Sequence, residues 1–289
     1  RSTLAEWIGV VGVRLQPLVE ALKTKLLTEP ILHADETPVA QLDPGAGKTK
    51  RAYLFAWRSA HTEPIVVFDC CPSRAGKHAQ AFLGEWKGAL MVDDYVGYKA
   101  LFATGITELA CWAHARRVFF DAHKASASPL AEEALRRMGE FYAIAATLRG
   151  LDDATRSIER KHRLGAWLAV FKHWLDAAQA QTLGNSGVRK AIEYTQRRWP
   201  ALARVIEDDA YPIDNNPIEN AIRPIAVGRK NWLFAGSETA GQRAAAIMSL
   251  IATAKANGIE PHAWLTDVLT RLPTTKDRDI ATLLPLADY

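Results

Sequence analysis

The order of strand-like and helix-like segments is the sequence feature that most restricts how this chain can fold. Three runs rich in β-branched, aromatic and other apolar residues follow one another with short connections, at residues 30–36, 52–58 and 64–69. A helix-like segment at 74–86 and a short apolar run at 89–93 come next, and a strand–helix–strand crossover is right-handed. The first three strands are therefore predicted to form an antiparallel meander, with the fourth strand parallel to an earlier one.

A fifth strand is predicted at 108–112, and it leads into a helix at 113–124. The resulting order, β-β-β-α-β followed by β-α, predicts an α/β fold with a ribonuclease-H-like mixed sheet flanked by helices. The stretch at 125–206 is helical in pattern, apart from a break at 183–187, and is predicted to be an all-helical insertion. A further helix is predicted to start at Pro217, with an asparagine as its N-cap.

The remaining segments complete the predicted domain plan. Apolar residues at helical spacing predict a single N-terminal helix over 4–27. Ser237 and Glu238 open a helix that stops at Asn257, and Pro261 starts a last helix that is followed by a tail. The predicted parts are an N-terminal helix (1–28), a first part of the core (29–124), the helical insertion (125–210), a second part of the core (211–258) and a C-terminal helix with a tail (259–289).

Composition excludes several classes of protein. The 289 residues are 48% hydrophobic and 24% charged, which provides a sizeable core and excludes global disorder. No apolar run approaches the ~20 residues that a membrane-spanning helix needs. Three cysteines cannot form a disulfide framework, so a reducing cytoplasm fits best. The net charge of +4 permits a polyanionic partner without requiring one. The sequence begins at Arg1 without Met, as is expected of a fragment or a processed chain.

Two aspartates end apolar strand-like runs, where a carboxylate is costly unless it is paired or hydrogen-bonded. Asp35 follows the run at 31–34, and Asp93 follows the run at 89–92. If these two strands are neighbours, both carboxylates lie near one edge of the sheet, and a divalent metal relieves their repulsion. A strand-end turn or a helix cap is the simpler interpretation for each aspartate alone, whereas the pair together with a third acid favours a metal site.

Glu219 is the third candidate acid, in the first turn of the helix that is predicted from Pro217. Arg223 shares its helix face and can pair with it or bind a phosphate. The alternative is an ordinary first-turn glutamate that the helix dipole favours. Three carboxylates can hold two Mg²⁺ or Mn²⁺ ions about 3.5–4 Å apart, an arrangement that serves in-line attack on a phosphodiester. Hard oxygen ligands suit Mg²⁺ or Mn²⁺, and the lack of clustered cysteines and histidines in the sequence argues against zinc.

Five motifs together carry a resemblance to a known family. They are His33-Ala-Asp-Glu-Thr-Pro38, Val92-Asp-Asp-Tyr-Val-Gly-Tyr98, Cys111-Trp-Ala-His-Ala-Arg-Arg117, Asp214-Asn-Asn-Pro-Ile-Glu-Asn-Ala-Ile-Arg-Pro224 and Gly228-Arg-Lys-Asn-Trp-Leu-Phe-Ala-Gly-Ser237. In this order, and over residues 1–275, the chain resembles the transposases of the insertion sequence 66 family, which are DDE-type enzymes. The resemblance implies a ribonuclease-H-like catalytic core that cuts and joins transposon ends.

The resemblance assigns Asp35 as the first catalytic, metal-binding acid and Glu219 as the third. The second motif of the family is an aspartate, usually a glycine, and then Tyr-x-Gly-Tyr. Matching the tyrosines places Asp93 on the acid and Asp94 on the glycine, and Asp94 would also point to the opposite face of a continuing strand. Further candidates for supporting positions beside the three acids are His33, Asp94, Asp214 and Asn216.

Two basic residues are followed by two aromatic residues in the last motif. Arg229 and Lys230 combine phosphate-binding charge with the rings of Trp232 and Phe234, which can stack on an unpaired base. A loop whose aromatic rings fill the core is an equally good interpretation. The predicted DNA-binding residues are Arg223, Arg229, Lys230, Trp232 and Arg243. A second basic stretch, at 189–204, fits a solvated helix face as well as a binding surface.

These observations predict the catalytic domain of a DNA transposase, in which metal-dependent hydrolysis exposes a 3′-hydroxyl that then attacks target DNA. The alternatives are a nuclease of the same fold without strand transfer and an inactive DNA-binding derivative. The expected partners are DNA and a second copy of the chain, in a homodimer or larger assembly on DNA, without a membrane. The expected location is the bacterial cytoplasm, at the nucleoid when bound to DNA. The zinc-binding and end-binding regions that precede such cores are not visible here, so end recognition is expected to lie outside this chain.

Overall fold

The computed structural model describes residues 2–287 and 289. In this part of the chain there are one mixed five-stranded sheet and twelve α-helices. The strands are β1 (Ile31–Asp43), β2 (Lys48–Ser59), β3 (Val66–Cys71), β4 (Ala89–Val92) and β5 (Thr107–Ala110). The helices are α1 (Ser2–Arg14), α2 (Gln16–Leu26), α3 (Gly76–Leu83), α4 (Lys99–Phe102), α5 (Trp112–Ser126), α6 (Pro129–Leu148), α7 (Asp153–Glu159), α8 (Gly165–Ala180), α9 (Gly187–Ala203), α10 (Asn216–Trp232), α11 (Glu238–Ala256) and α12 (Pro261–Arg271). Among the described helices, none has the length and hydropathy to span a membrane.

The sheet runs in the order β3-β2-β1-β4-β5. β1 pairs antiparallel with β2, from Leu32 opposite Ser59 to Asp43 opposite Lys48, and β2 pairs antiparallel with β3. The predicted meander of the first three strands is therefore confirmed. The turn between β1 and β2 contains two glycines with φ angles of 80° and 60°, a conformation that glycine adopts without steric cost.

β1 is longer than the sequence pattern predicts, and this corrects the position of Asp35. The prediction placed Asp35 at the end of a short strand, whereas β1 continues for another eight residues to Asp43. The reason is the hairpin: antiparallel pairing with β2 continues through residues 36–43, although their side chains are more polar than those of 31–34. Asp35 is therefore a mid-strand residue opposite Ala56.

Two predictions at the ends of the chain are wrong. The single N-terminal helix is divided at Leu15 into α1 and α2, because Pro17 lacks the N–H that a continuous helix would use at this point. The expected C-terminal tail instead contains a 3₁₀ segment, Asp277–Leu283, with buried apolar side chains. Trp264 donates its indole N–H to the Leu283 carbonyl at 3.2 Å, which ties this segment to α12.

The chain divides into two compact units. The first contains residues 1–90, 95–107 and 216–289, and the second contains residues 91–94 and 108–215. β4 and β5 each contribute residues to both units. The first unit thus includes β1–β3, α10 and α11, whereas the second includes the helices α5–α9.

Each unit has its own hydrophobic core. In the first unit, the buried isoleucines of α10 pack with Val39, Leu54 and Phe68 from the first three strands. In the second unit, Trp112 of α5 lies against an aromatic cluster, with ring centroids 4.7 Å from Phe141 and 5.4 Å from Trp167. Burial of large aromatic side chains is a strong stabilising contribution, so this cluster is a main part of the apolar interior of the second unit.

α11 covers the edge strand β3 with two hydroxyl groups. The N–H of Val66 donates to Thr253 Oγ1 at 3.0 Å, and the same hydroxyl donates to the Val66 carbonyl at 3.1 Å. The N–H of Phe68 donates to Ser249 Oγ at 2.8 Å. The predicted start of α11 at Ser237–Glu238 and its end at Asn257 are also confirmed, with Ser237 as the N-cap.

Candidate active site

Asp35 lies on β1 in the first unit and is half-buried. Its Oδ1 accepts the backbone N–H of Glu36 at 2.8 Å, which fixes the direction of the carboxylate. His33, two residues earlier on the same strand, is completely buried. The carboxylate oxygens of Asp35 and Glu36 come within 4.8 Å of one another, so β1 offers two acidic groups at this point.

Side-chain contacts from other parts of the chain hold the Glu36 carboxylate in place. Its carboxylate, with a side chain only 1% exposed, accepts from Arg74 Nε at 2.8 Å and from the Tyr98 hydroxyl at 2.6 Å. Arg74 also lies over the ring of Tyr95, 3.7 Å from its centroid. The guanidinium and the hydroxyl compensate the cost of burying this carboxylate. Sequence reasoning missed this group, although an acid next to Asp35 in an otherwise buried strand was a usable signal.

The tyrosine motif that follows β4 has a structural explanation. A Cβ atom at Gly97 would overlap the ring of Tyr95, and one at Gly76 would overlap the carbonyl oxygen of Gly97. Gly76 thus allows the start of α3 to approach the 96–98 turn, and Gly97 leaves room for the Tyr95 ring. This close approach brings the Tyr98 hydroxyl to Glu36 and the Tyr95 ring to Arg74.

Asp93 and Asp94 belong to the second unit, where the two residues differ in their surroundings. Asp94 forms ion pairs with Arg197 Nη2 at 2.9 Å and Arg198 Nη1 at 3.5 Å. Arg198 is buried, pairs also with Glu108, and donates to the backbone carbonyl of Asp93 at 3.2 Å. The basic stretch at 189–204 was open to interpretation as a solvated helix face, and for the buried Arg198 that interpretation is wrong. Two arginines of α9 occupy the Asp94 carboxylate, whereas Asp93 directly follows β4.

The pKa of Tyr194 is shifted by its burial and by the charges of these aspartates. Burial raises the pKa of the Tyr194 hydroxyl to about 12, with the negative charges of Asp94 and Asp93 acting in the same direction and Arg198 opposing them. The hydroxyl therefore stays protonated at neutral pH and is a neutral group on this side of α9.

Glu219 lies in the first turn of α10, half-buried, in the first unit. Its helix is fixed by Ile218, Ile222 and Ile225, which pack on the first three strands. The partial positive charge at a helix N-terminus stabilises a carboxylate at this position. Asp35 and Glu219 thus lie on packed elements of one unit. Of the supporting candidates, Asn216 is the exposed first residue of α10, and Asp214 lies half-buried before it in the second unit.

The structure gives the predicted DNA-binding residues different surroundings. Arg229 donates to the Pro38 carbonyl at 2.7 Å and to Thr37 Oγ1 at 3.3 Å, which ties α10 to β1. Arg243 is half-buried and packs against the glycine face of α1. The remaining candidates, Arg223, Lys230 and Trp232, are exposed.

The last motif does not fill the core. Its first residues, 228–232, are the last turn of α10, and the side chains of Trp232 and Phe234 are 37% and 43% exposed. Of the two interpretations of this segment, the one in which its aromatic rings fill the core is therefore wrong. Leu233 between them has a φ of 64°, which reverses the chain after the helix.

Comparison with known proteins defines the family. The sequence model described as "Transposase IS66 family" matches residues 1–243, and that of the "IS66 C-terminal element" matches residues 249–286. The chain therefore belongs to the IS66 transposase family. The uncharacterized protein y4qI of Sinorhizobium fredii is 35% identical over 287 residues, covering 94% of this chain and 53% of that protein. The uncharacterized protein y4jD of the same organism is 33% identical, covering 99% of this chain and 59% of that protein.

A short match of 61% identity over 31 residues connects the chain with the uncharacterized protein YjgZ of Escherichia coli, covering 11% of this chain and 28% of that protein. The chain spans between half and three-fifths of the length of the Sinorhizobium relatives.

Proposed function

We propose that this chain is the catalytic part of a DNA transposase and that Asp35, Asp93 and Glu219 are its catalytic acids. The observation that carries the proposal is the sheet order: β4, which Asp93 follows, is the neighbour of β1, which carries Asp35. Neighbouring strands are about 4.8 Å apart. The helix that carries Glu219, α10, packs its isoleucines against the same meander. The strand–strand–strand–helix–strand order supports a ribonuclease-H-like core.

The acids next to the proposed catalytic residues have structural partners. Glu36 is held by Arg74 and a tyrosine, and Asp94 is held by two arginines of α9. These contacts give Glu36 and Asp94 a role in the fold, whereas the assignment of Asp35 and Asp93 rests on the family motifs. The donor set consists of carboxylate oxygens, which are ligands of Mg²⁺ or Mn²⁺. When bound, two such ions activate the attacking oxygen and stabilise the leaving oxygen.

In the proposed reaction, basic residues of the chain hold the DNA strand, and the three carboxylates would hold the metal ions that bind the reacting phosphate. In the first step, a water oxygen bonds to phosphorus and the bond from phosphorus to the 3′ oxygen breaks, which exposes a 3′-hydroxyl. In the second step, that hydroxyl attacks a phosphodiester of target DNA, and the target's own 3′ oxygen leaves. The number of phosphodiester bonds is conserved in the second step, so strand transfer requires no energy-rich cofactor.

The test uses labelled DNA that carries a transposon end, incubated with the purified chain and Mg²⁺ or Mn²⁺. Nicked and joined products are measured separately on denaturing gels. Asp35→Asn, Asp93→Asn and Glu219→Gln are each expected to lower cleavage at least 100-fold, since each removes an anionic ligand. Asp69→Asn is the matched control, because Asp69 is a half-buried aspartate of the edge strand β3 and stands outside the proposed set.

The outcomes separate the three functions considered. Cleavage and joining that both require all three acids support the transposase. Nicks without joined products would indicate a nuclease, and cleavage that survives the three substitutions would contradict the catalytic assignment. Metal-independent binding to the same DNA, without cleavage by the unmodified chain, would indicate an inactive DNA-binding derivative.

A further inference from the structure

A basic cleft lies within the first unit, where the β1–β2 hairpin meets the C-terminal end of α10. It has a volume of about 420 Å³, and its lining includes Thr49, Lys50, Arg51, Arg229 and Leu233. Lys50 and Arg51 belong to β2 and are exposed, and Arg229 is half-buried. The hairpin's run Lys48-Thr-Lys-Arg51 was not among the sequence-predicted binding residues, so it contributes cations that the proposed function has not used.

Backbone contacts hold the two sides of the cleft together. The segment after α10 pairs with the distal part of β1: Leu42 N–H donates to the Ala235 carbonyl at 2.8 Å, and Ala235 N–H donates to the Ala40 carbonyl at 2.9 Å. Arg229 adds its bonds to Pro38 and Thr37. Because hairpin and helix end are joined in this way, the cations of the cleft have a fixed backbone framework.

The charge of the cleft is positive. Lys50 and Arg51 line the cleft from β2, Arg229 lines it from α10, and Lys48 lies two residues before Lys50 on the same strand. The acidic group beside them is Asp43, whose carboxylate lies 3.6 Å from Lys50 Nζ. The side chains of Lys50 and Asp43 are 45% and 35% exposed, and ion pairs that water reaches in this way are weak. A phosphate can therefore displace Asp43 from Lys50.

We propose that this cleft binds the phosphate backbone of a DNA strand. The proposal rests on the proposed function for its ligand class and adds a binding surface outside the catalytic acids. Lysine and arginine side chains on an open surface are typical of backbone contacts, which position DNA without reading its sequence. The exposed rings of Trp232 and Phe234, on the turn that pairs with β1, offer stacking surfaces for an unpaired base next to the bound phosphates.

The test measures binding of the complete chain to fluorescently labelled DNA by anisotropy, in EDTA, between 50 and 200 mM salt. Each lost phosphate contact lowers the slope of log K against log[salt] by about 0.9. Lys50→Gln/Arg51→Gln is therefore expected to lower the slope by about 1.8 and to reduce the affinity ratio between the two salt concentrations by about tenfold. Asp43→Asn is expected to raise affinity about two- to fivefold, because the competing carboxylate is removed.

Lys276→Gln/Arg278→Gln is the matched control, because it removes one lysine and one exposed arginine of the same unit far along the chain from the hairpin. Circular dichroism establishes that all variants are folded. An unchanged salt slope in the hairpin variant, or an equal loss of slope in the control, would overturn the proposal. Comparing duplex DNA with DNA that has an unpaired end tests the stacking: equal affinity for both, unaffected by Trp232→Ala, would overturn that part.

The two proposals can fail independently. The binding measurement contains no divalent metal, so it does not depend on cleavage. In one outcome, the acid substitutions abolish cleavage and Lys50→Gln/Arg51→Gln leaves the salt slope unchanged. This outcome would support the proposed function and contradict DNA binding by the cleft. In the other outcome, Lys50→Gln/Arg51→Gln reduces the salt slope although the unmodified chain cleaves no DNA. This outcome would support DNA binding by the cleft and contradict the catalytic assignment.

Discussion

Two of the three candidate acids are followed directly by a second acid, and in both pairs arginines hold the second one. Glu36 is bound by Arg74, and Asp94 is bound by two arginines of α9. An arginine satisfies a partly buried carboxylate with several N–H donors, so these acids have a structural role. At the residue scale, these contacts show that a carboxylate beside a candidate acid can serve the stability of the fold.

Substitution of Arg74 tests the structural role of Glu36. Arg74→Met removes the guanidinium while the carboxylate, 1% exposed, stays buried. Because an uncompensated buried charge is costly, we expect the free energy of unfolding to fall by about 3 kcal/mol. Urea denaturation followed by circular dichroism measures the change, and Arg51→Met, at an exposed strand position, is expected to stay within about 0.5 kcal/mol of the unmodified chain.

The double variant Arg74→Met/Glu36→Gln identifies the cause of that loss. Glutamine has no charge and still accepts from the Tyr98 hydroxyl, so the double variant is expected to recover about 1–2 kcal/mol relative to Arg74→Met alone. If the double variant were no more stable than the single one, the loss would come from the packing of the arginine side chain, and not from the buried charge.

The thiol of Cys70 provides a prediction about pH. Burial raises its pKa to about 11, with Asp69 and Glu238 acting in the same direction, against an ordinary value of 9.0. At pH 8 the thiolate fraction is thus about 100-fold lower than for an ordinary cysteine, and the thiolate is the reacting species. We expect iodoacetamide to modify Cys70 at least 100-fold more slowly in the folded chain than in urea, with the folded rate rising as the pH approaches 11. Peptide mass spectrometry measures both rates, and equal rates would contradict the prediction.

At the scale of elements, local signals predicted the segments that depend on neighbours in sequence. The N-cap at Ser237 and the stop at Asn257 define α11 because both act within one helical turn. The distal half of β1 could not be predicted, since its strand conformation depends on pairing with β2 and not on its own composition. The C-terminal 3₁₀ segment was missed because its apolar residues are buried by tertiary contacts.

For the candidate site too, the sequence predicts what depends on local motifs and misses contacts between distant residues. The positions of Asp35, Asp93 and Glu219 follow from motifs and remain predictions as catalytic residues. The partners of Glu36 could not be found from the sequence, because Arg74 and Tyr98 are 38 and 62 residues away along the chain. A contact over such distances depends on the close approach of Gly76 and Gly97, which only the folded chain shows.

The edge strand β3 provides a test at this scale. An edge strand exposes unpaired backbone groups that can pair with another chain, and the hydroxyls of Ser249 and Thr253 bind those of Val66 and Phe68. Ser249→Ala/Thr253→Val leaves two buried N–H groups without these acceptors, so we expect unfolding to become easier by about 2–4 kcal/mol. We also expect the variant to aggregate at lower protein concentration, measured by light scattering.

Ser249→Thr is the matched control for the edge-strand variant, because it keeps a hydroxyl at the same position. Retained stability in the control and loss in the alanine–valine variant would assign the effect to the hydrogen bonds. If the unmodified chain, the control and the alanine–valine variant were equally stable, water would bind the backbone N–H groups of β3 as well as the hydroxyls of α11 do.

At the scale of the whole molecule, the chain is built from two units, each with its own core. The helices of the second unit lie between β5 and α10 along the sequence, so the residues of the first unit come from separated stretches. Local stability in such proteins follows the cooperative units. The aromatic cluster around Trp112 is then expected to control the opening of α5–α9 without controlling that of the meander.

Phe171→Ala tests this independence. Phe171 is 1% exposed, and its ring lies 4.6 Å from Trp167 and 5.6 Å from Trp174 between centroids. Removing it leaves a cavity and is expected to cost about 3–5 kcal/mol within the second unit. Hydrogen exchange measured by mass spectrometry should then show faster exchange in α5, α6, α8 and α9, and unchanged exchange in β1–β3 and α11.

The opposite pattern is expected for Phe68→Ala in the first unit, where Phe68 belongs to the core under α10. If either substitution accelerated exchange equally throughout the chain, the two units would open together as one cooperative structure.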